Sequence, residues 1–438
     1  VIRMSYSLQL AWLGIRRNPA IAGLIVLTLA LGVGATMTAL ALFLLLSSDP
    51  LPDRSGQVYA VQIDSREAPA PTEDSTSPEP PDLIGMSDGL RLLDARRAQR
   101  QALMVNALFS IRSGQASKDG EIGLMATADL FPMFGVRFLY GGPWTAADEQ
   151  ARARVVVISA ELNQTLFDGR NSVGETVEVN GETFRVAGIS ARWNPRPHFF
   201  LLSSFVYGDE GEQIFVPVQT ANELGFSPVG QINCNGRSAL NMQSPDPDRC
   251  RWLAYWVELE SAAAVQSYRD YLLADSREQQ ALGRFERAPN VKLSTVNEWL
   301  EAHKVVPDDV RLGVWIAFSL FAVCLANAAG LLSAKFLRRS SEIGIRRALG
   351  ATRRSVFVQY LAEAGLLGLL GSVCALPLVA LGLWVIRQQP VAYAFMAEID
   401  PWLFLELLVL AVLVTAVVGG LPAWRACRVA PAIQVKSL

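Results

Sequence analysis

Side chains able to do chemistry are sparse in this chain of 438 residues, which has two histidines and five cysteines. His198 and His303 stand far apart, and the cysteines lack the paired spacing of a metal site. A zinc centre, or a Cys/His or Ser/His catalytic set, is therefore not expected, and no G-x-x-x-x-G-K-[ST] phosphate loop occurs. Two features remain. Cys234 and Cys250 lie in a polar, Pro- and Asn-rich stretch. On an oxidising side of a membrane they can close a loop, stabilising it by about 3 kcal/mol, the alternative being two unpaired thiols. The second feature is Glu342-Ile343-Gly344-Ile345-Arg346-Arg347-Ala348-Leu349-Gly350. Ser340 or Ser341 can cap a short helix there, with Glu342 favourable in its first turn. Ile345, Ala348 and Leu349 share one apolar face, Gly350 suits a left-handed C-terminal position, and Thr352 can cap the next helix. Spacing alone leaves two uses for such a helix: a knob that docks on another protein, or a basic helix on anionic headgroups.

The elements that must hold these features are membrane spans. Apolar residues make up 51% of the chain and the mean hydropathy is +0.26. A helix crossing the ~30 Å hydrocarbon core needs about 20 apolar residues. Uncharged stretches at Ala20–Leu46, Leu312–Ala334 and Ala364–Ile386 meet that need, and Pro401–Trp424 is a fourth span with one acid, Glu406, near its start. The first follows Arg16-Arg17 as a signal peptide would, but it is too long for a signal h-region and reads as an uncleaved anchor. Lysines and arginines total 39 against 41 acids, so there is no nucleic-acid signature.

Loop charge sets the orientation. Arg3, Arg16 and Arg17 precede span one; Lys335, Arg338, Arg339, Arg346, Arg347, Arg353 and Arg354 crowd the loop 335–363; Arg425, Arg428 and Lys436 follow span four. Between spans three and four Arg387 stands against Glu398, Asp400 and Glu406. The positive-inside rule puts the segments 1–19, 335–363 and 425–438 in the cytoplasm, and the block 47–311 with loop 387–400 outside. Small residues at four-residue spacing, Ala30/Gly34, Ala364/Gly368 and Ala416/Gly420, permit close helix approach. Asn327 reads as an interhelical hydrogen bonder, and Glu363 as a snorkelling or Arg-paired acid at the cytoplasmic edge. Cys324, Cys374 and Cys427 read as packing residues.

The outer block reads as α+β. Gln57–Ile63 is strand-like, and Asp64–Asp82, rich in Pro, Ser and acids, reads as a disordered loop. Ser87–Leu108 looks helical. Val155–Ile158 is a buried strand, and Ser159 caps a helix whose Leu162 and Leu166 share a face. Thr176–Val186 is a hairpin turned by Asn180-Gly181. Phe215–Val218 and Val291–Leu293 are further strands, and Ala262–Leu282 is helical.

Glu342–Ala351 is very similar to the cytoplasmic loop of the FtsX-like/MacB-like ABC transporter permeases. The resemblance continues through Gln359–Ala364, Cys324–Leu332, Gly420–Ala426 and Pro431-Ala432. In the outer block it takes in Phe134-Gly135-Val136, Gly141-Gly142, Val155–Ser159 and Val173–Thr176. It implies a membrane protein with four transmembrane helices and a large α+β periplasmic domain between spans one and two. It also implies that Glu342, Ile343, Ile345, Arg346, Arg347, Ala348, Leu349 and Gly350 form the helix that couples to an ATPase. The segment Arg192–Trp256 reads as an insertion outside the family core.

The resemblance implies a non-enzymatic permease subunit in the bacterial inner membrane, with both termini cytoplasmic. No cofactor is expected in this chain; ATP and Mg would be bound by a separate ATPase dimer. Further partners implied are membrane lipid, a second copy or a related permease, and a periplasmic adaptor with an outer-membrane channel. The implied function is export of a peptide, antibiotic or other amphiphile by mechanotransmission. A lipoprotein-extracting permease and an FtsX-type signal transmitter are the alternatives; the large outer block weighs against the second.

Overall fold

The computed structural model describes residues 12–67, 79–202, 211–234, 246, 248–338, 350, 352–389 and scattered positions from 394 to 424. They form two compact units: an outer unit, Ser48–Val305, and a membrane unit made from the chain on either side of it.

The membrane unit opens with α1 (Pro19–Leu46), started by a proline in its first turn, where no intrahelical N–H is required. In the outer unit follow β1 (Val58–Ile63), α2 (Met86–Ala95), β2 (Arg100–Ser113), β3 (Ala116–Ala126), α3 (Leu130–Met133), β4 (Phe138–Gly141), α4 (Ala146–Gln150) and β5 (Val155–Ser159). Then come α5 (Ala160–Phe167), β6 (Thr176–Val179), β7 (Glu182–Ser190), a 3-10 turn (Phe199–Leu201), β8 (Ile214–Pro217), α6 (Val218–Glu223), β9 (Asn233–Cys234) and β10 (Cys250–Arg251). The unit closes with β11 (Ala254–Glu258), α7 (Ala262–Ala281), β12 (Val291–Thr295) and α8 (Val296–Ala302). The membrane unit resumes with α9 (Asp308–Arg338) and α10 (Arg353–Arg387).

The outer sheet runs β12-β1-β11-β2-β3-β8-β5-β7-β4, and β6 pairs with both β2 and β7. The ladder β2-β3-β8-β5-β7-β6 therefore returns to β2, and β11, β1 and β12 extend from the same strand. β2 can serve both parts because it is long: Arg100–Met104 pairs with β11, and Ile111-Arg112 pairs with β6 beyond a register shift at Phe109/Ile111. Two apolar clusters pack against the sheet, one built around Leu103, Val105, Phe184 and Tyr255, the other around Phe131, Phe134, Phe199 and Trp256.

Several expectations hold at residue level. Ser159 Oγ accepts from the Leu162 N–H, 2.9 Å away, and caps α5. Asn180 and Gly181 take φ of 50° and 87°, the left-handed pair that a tight hairpin demands. Ser261 caps α7.

Three expectations are corrected. Only the first half of Ser87–Leu108 is helix; it ends at Arg96 in the left-handed region, and β2 begins at Arg100. Gln101–Ala107 is buried on both faces of the sheet, so it lacks the polar alternation that marks a strand, and its Ala, Leu and Met read as helix formers. Residues 68–78 of Asp64–Asp82 lie outside the described residues, and the flanks that are described are ordered: the Gln62 amide donates to the Pro80 carbonyl and to Asp82, and Asp64 pairs with Arg66 at 2.6 Å. The segment Arg192–Trp256 is no appendage. It supplies β8 inside the sheet, and its Phe199 and Phe200 carbonyls accept from the indoles of Trp299 and Trp256 at 3.0 and 3.1 Å.

In the membrane unit, α1, α9 and α10 are each long and apolar enough to span a bilayer. The fourth expected span, 401–424, lies mostly outside the described residues. α9 and α10 both pack along α1. A Cβ on Gly32 would lie 2.8 Å from the Cβ of Cys324, and one on Gly371 would lie 2.7 Å from the Cβ of Leu29, so these glycines set how closely the helices approach. Asn327 lies on the exposed face of α9 with Val323 and Ala326, and among the described residues no interhelical hydrogen bond holds it. Cys324 is buried as a packing residue, whereas Cys374 is exposed; Cys427 lies outside the described residues.

Candidate coupling site

The sequence points to the loop between α9 and α10. Glu342, Ile343, Ile345, Arg346, Arg347, Ala348 and Leu349 lie outside the described residues. What is described is the frame on both sides. Gly350 has φ of 98°, a left-handed conformation suited to glycine. Thr352 Oγ1 accepts from the Ser355 N–H at 3.2 Å and caps α10. α9 ends with Lys335 and Arg338 in its last turn, where cations complement the helix dipole.

Sequence reasoning missed one pair in this frame. Lys335 Nζ lies 2.6 Å from Glu363 Oε1, and each side chain is 1% exposed. Glu363 thus pairs with a lysine of α9 and is buried instead of snorkelling. Next to it the Phe336 and Tyr360 rings pack with centroids 4.3 Å apart. Both charges stood in the sequence at the ends of apolar runs; the missing signal was that each helix turns its charge inward.

In the outer unit Cys234 and Cys250 face each other across β9 and β10 and are joined, with Cα atoms 4.0 Å apart. A groove there of about 640 Å³ is lined by polar side chains including Asp94, Arg96, Asp129, Glu149 and Arg152. Burial raises the Glu149 carboxyl above the usual range, against hydrogen bonds from the Trp144 indole and the Ala128 N–H. The two histidines belong to separate surroundings. His198 is buried, its pKa lowered to about 4, and its Nε2 lies 2.7 Å from Asn194 Oδ1. Burial also acts to lower the pKa of His303, but hydrogen bonds to Asp82 and the Trp299 carbonyl outweigh it and leave the ring raised. Among the described residues no group of three His, Cys, Asp or Glu could hold a metal.

The chain matches the MacB-like periplasmic core domain over residues 22–274 and the FtsX-like permease C-terminal domain over 314–431. It is similar to the pyoverdine export ATP-binding/permease protein PvdT of Pseudomonas entomophila, at 24% identity over 82% of this chain and 49% of that protein. It is 24% identical to the uncharacterized ABC transporter permease YvrN of Bacillus subtilis, over 69% of this chain and 67% of that one. The macrolide export ATP-binding/permease protein MacB of Chlorobium luteolum is 25% identical over 55% of this chain and 33% of its own length. Against the MacB and PvdT relatives, then, the chain spans half of their length or less. The solved periplasmic region of MacB from Actinobacillus actinomycetemcomitans aligns at 14% identity and a TM-score of 0.36, covering 59% of this chain and 97% of that one. With a periplasmic core domain matched over more than half its length and a permease domain after it, the chain belongs to the MacB-like/FtsX-like family of ABC transporter permeases.

Proposed function

We propose that this chain is the membrane subunit of an exporter in which ATP hydrolysis by a partner ATPase dimer is converted into movement of the outer unit. The cargo is a peptide, antibiotic or other amphiphile handled on the outer side or taken laterally from the outer leaflet. The observation that carries the reading is the interlocked packing of α1, α9 and α10. Helices whose glycines seat neighbouring side chains at contact distance move as a body instead of parting into a polar channel. Two buried polar contacts of this bundle agree with it: Thr36 Oγ1 donates to the Gly32 and Ala317 carbonyls, and Lys335 and Glu363 form an ion pair.

In this reading the Glu342–Gly350 helix inserts Ile345 and Leu349 into a groove of the ATPase, and Glu342, Arg346 and Arg347 fix its register. The basic flanks support a cytoplasmic position for that loop and an inner-membrane location with both termini inside. Exposed Trp315, Ile316, Phe318 and Val323 on α9 offer lipid or a second permease an apolar face. Ile345→Asp tests the dock, because it buries an unpaired charge at the contact, costing several kcal/mol. The variant is expected to fold and insert but to lose co-purification of the ATPase and transport. Survival of both would leave the loop as a headgroup-binding helix.

A further inference from the structure

The described residues hold one charge pair in the membrane unit that lies wholly inside its packing, and nothing in the proposed export cycle requires it. Lys335 comes from the last turn of α9, and Glu363 lies roughly three turns into α10. The two helices leave this point toward the two ends of the loop that carries Glu342–Gly350. Elsewhere their common partner is α1: Ala328, Leu332 and Phe336 of α9 and Val356, Tyr360 and Ala364 of α10 pack into one cluster with Ala22, Ile25 and Leu29. The Lys335–Glu363 contact at 2.6 Å, with the Phe336–Tyr360 ring contact beside it, ties α9 directly to α10.

Close apolar packing resists the parting of helices but does not single out one register as sharply as a buried ion pair does. Both charges are desolvated, and separating them by a few ångströms weakens an attraction that is strong in this medium. Such a pair is a poor choice for mere cohesion, because well-packed apolar side chains of similar volume hold a bundle as well or better. It is a good choice where two helix ends must keep one fixed register.

We propose that Lys335 and Glu363 form a register latch: they lock the last turn of α9 to the third turn of α10 so that a push on the intervening loop moves both helices together. They are positioning residues, acting through the helices and not on ATP or cargo. The proposal rests on the coupled-export reading above, and its test separates the two.

The experiment uses the full chain in nanodiscs, with and without its ATPase. Spin labels at Arg338→Cys and Arg354→Cys report the spacing of the two helix ends without any transport assay. The variants are Lys335→Met/Glu363→Leu, which keeps volume but removes the latch, and Lys335→Glu/Glu363→Lys, which reverses it. In the apolar variant the distance distribution is expected to broaden about twofold. The ATPase should still bind and hydrolyse ATP, while nucleotide-driven displacement of the outer unit falls about tenfold. The reversed pair should recover both readouts, which a purely structural loss would not. An apolar variant with a narrow distribution and a full nucleotide response would overturn the latch. A latch-dependent distance in a wild-type chain whose outer unit ignores nucleotide would keep the latch and sink the export reading. Should the apolar variant fail to fold, Glu363→Asp replaces it, keeping the charge on a shorter arm. Partial broadening with reduced coupling is then expected, and wild-type behaviour in both readouts would overturn the proposal.

Discussion

The two units bury charge in opposite ways. In the outer unit, charge is spread through networks with water at their edge: Arg91 meets both Asp88 and Asp275, and Arg284 reaches Asp88 at 3.3 Å and Asp248 at 3.4 Å. The arginines there remain 23% and 35% exposed, so no single bond is decisive. In the membrane unit the described helices concentrate buried charge in Lys335 and Glu363, each 1% exposed, with little solvent to share the load. The contrast separates a domain held by redundancy from a bundle whose described helices are held by close fit and a few buried polar contacts. Removing single members should therefore leave different marks on the two.

The largest effect in the outer unit is expected from its aromatic core, not its charges. Trp256 is 1% exposed, donates to the Phe200 carbonyl at 3.1 Å, and sits within 6.1 Å of the Phe134, Phe199 and Trp299 ring centroids. Trp256→Ala should destabilise the unit by about 3–5 kcal/mol, read from thermal unfolding of the purified chain. Loss under 1 kcal/mol would mean that the Phe199–Leu201 turn is held by something else.

The disulfide comes next. Cys234→Ser with Cys250→Ser should cost the unit about 3 kcal/mol in its unfolding equilibrium. Mass spectrometry of the non-reduced wild type should show the two linked peptides. Freely alkylated thiols would remove both the bond and one argument for an oxidising location.

The smallest effect is a pH dependence. Glu212 is 4% exposed, and burial raises its pKa from 4.5 to about 8. The folded state keeps a proton that the unfolded chain releases above pH 4.5, so the stability Glu212 contributes is complete below that pH and is lost as pH rises through about 8. Glu212→Gln should flatten the decline, with the variant the more stable by on the order of 1–3 kcal/mol at pH 8 and no different near pH 4. An unchanged pH profile would show that the carboxyl is hydrated.

Legibility from sequence followed the same division. Spans were legible because the bilayer demands long uncharged runs, and α1, α9 and α10 cover the three runs inside the described residues. Hairpins and caps were legible because their signals are local: Asn180-Gly181 and Ser159 act on neighbours a few residues away. β2 was not, because burial on both faces by distant strands erases alternation. The Lys335–Glu363 pair was hidden for the same reason. Each residue reads alone as a loop-edge charge, and only the packing of α9 and α10 on α1 brings them to 2.6 Å. The polar groove around Asp129 and Glu149 had no sequence signal, since its walls come from segments far apart in the chain.

The central claim is that the membrane unit transmits movement rather than opening a conduit. The most direct measurement is a pair of structures of the chain with its ATPase, one nucleotide-free and one ATP-bound. The account predicts displaced helices and a displaced outer unit, with the glycine-seated contacts Gly32–Cys324 and Gly371–Leu29 intact in both states. A continuous water-filled path from the cytoplasm in either state, with those contacts parted, would contradict it.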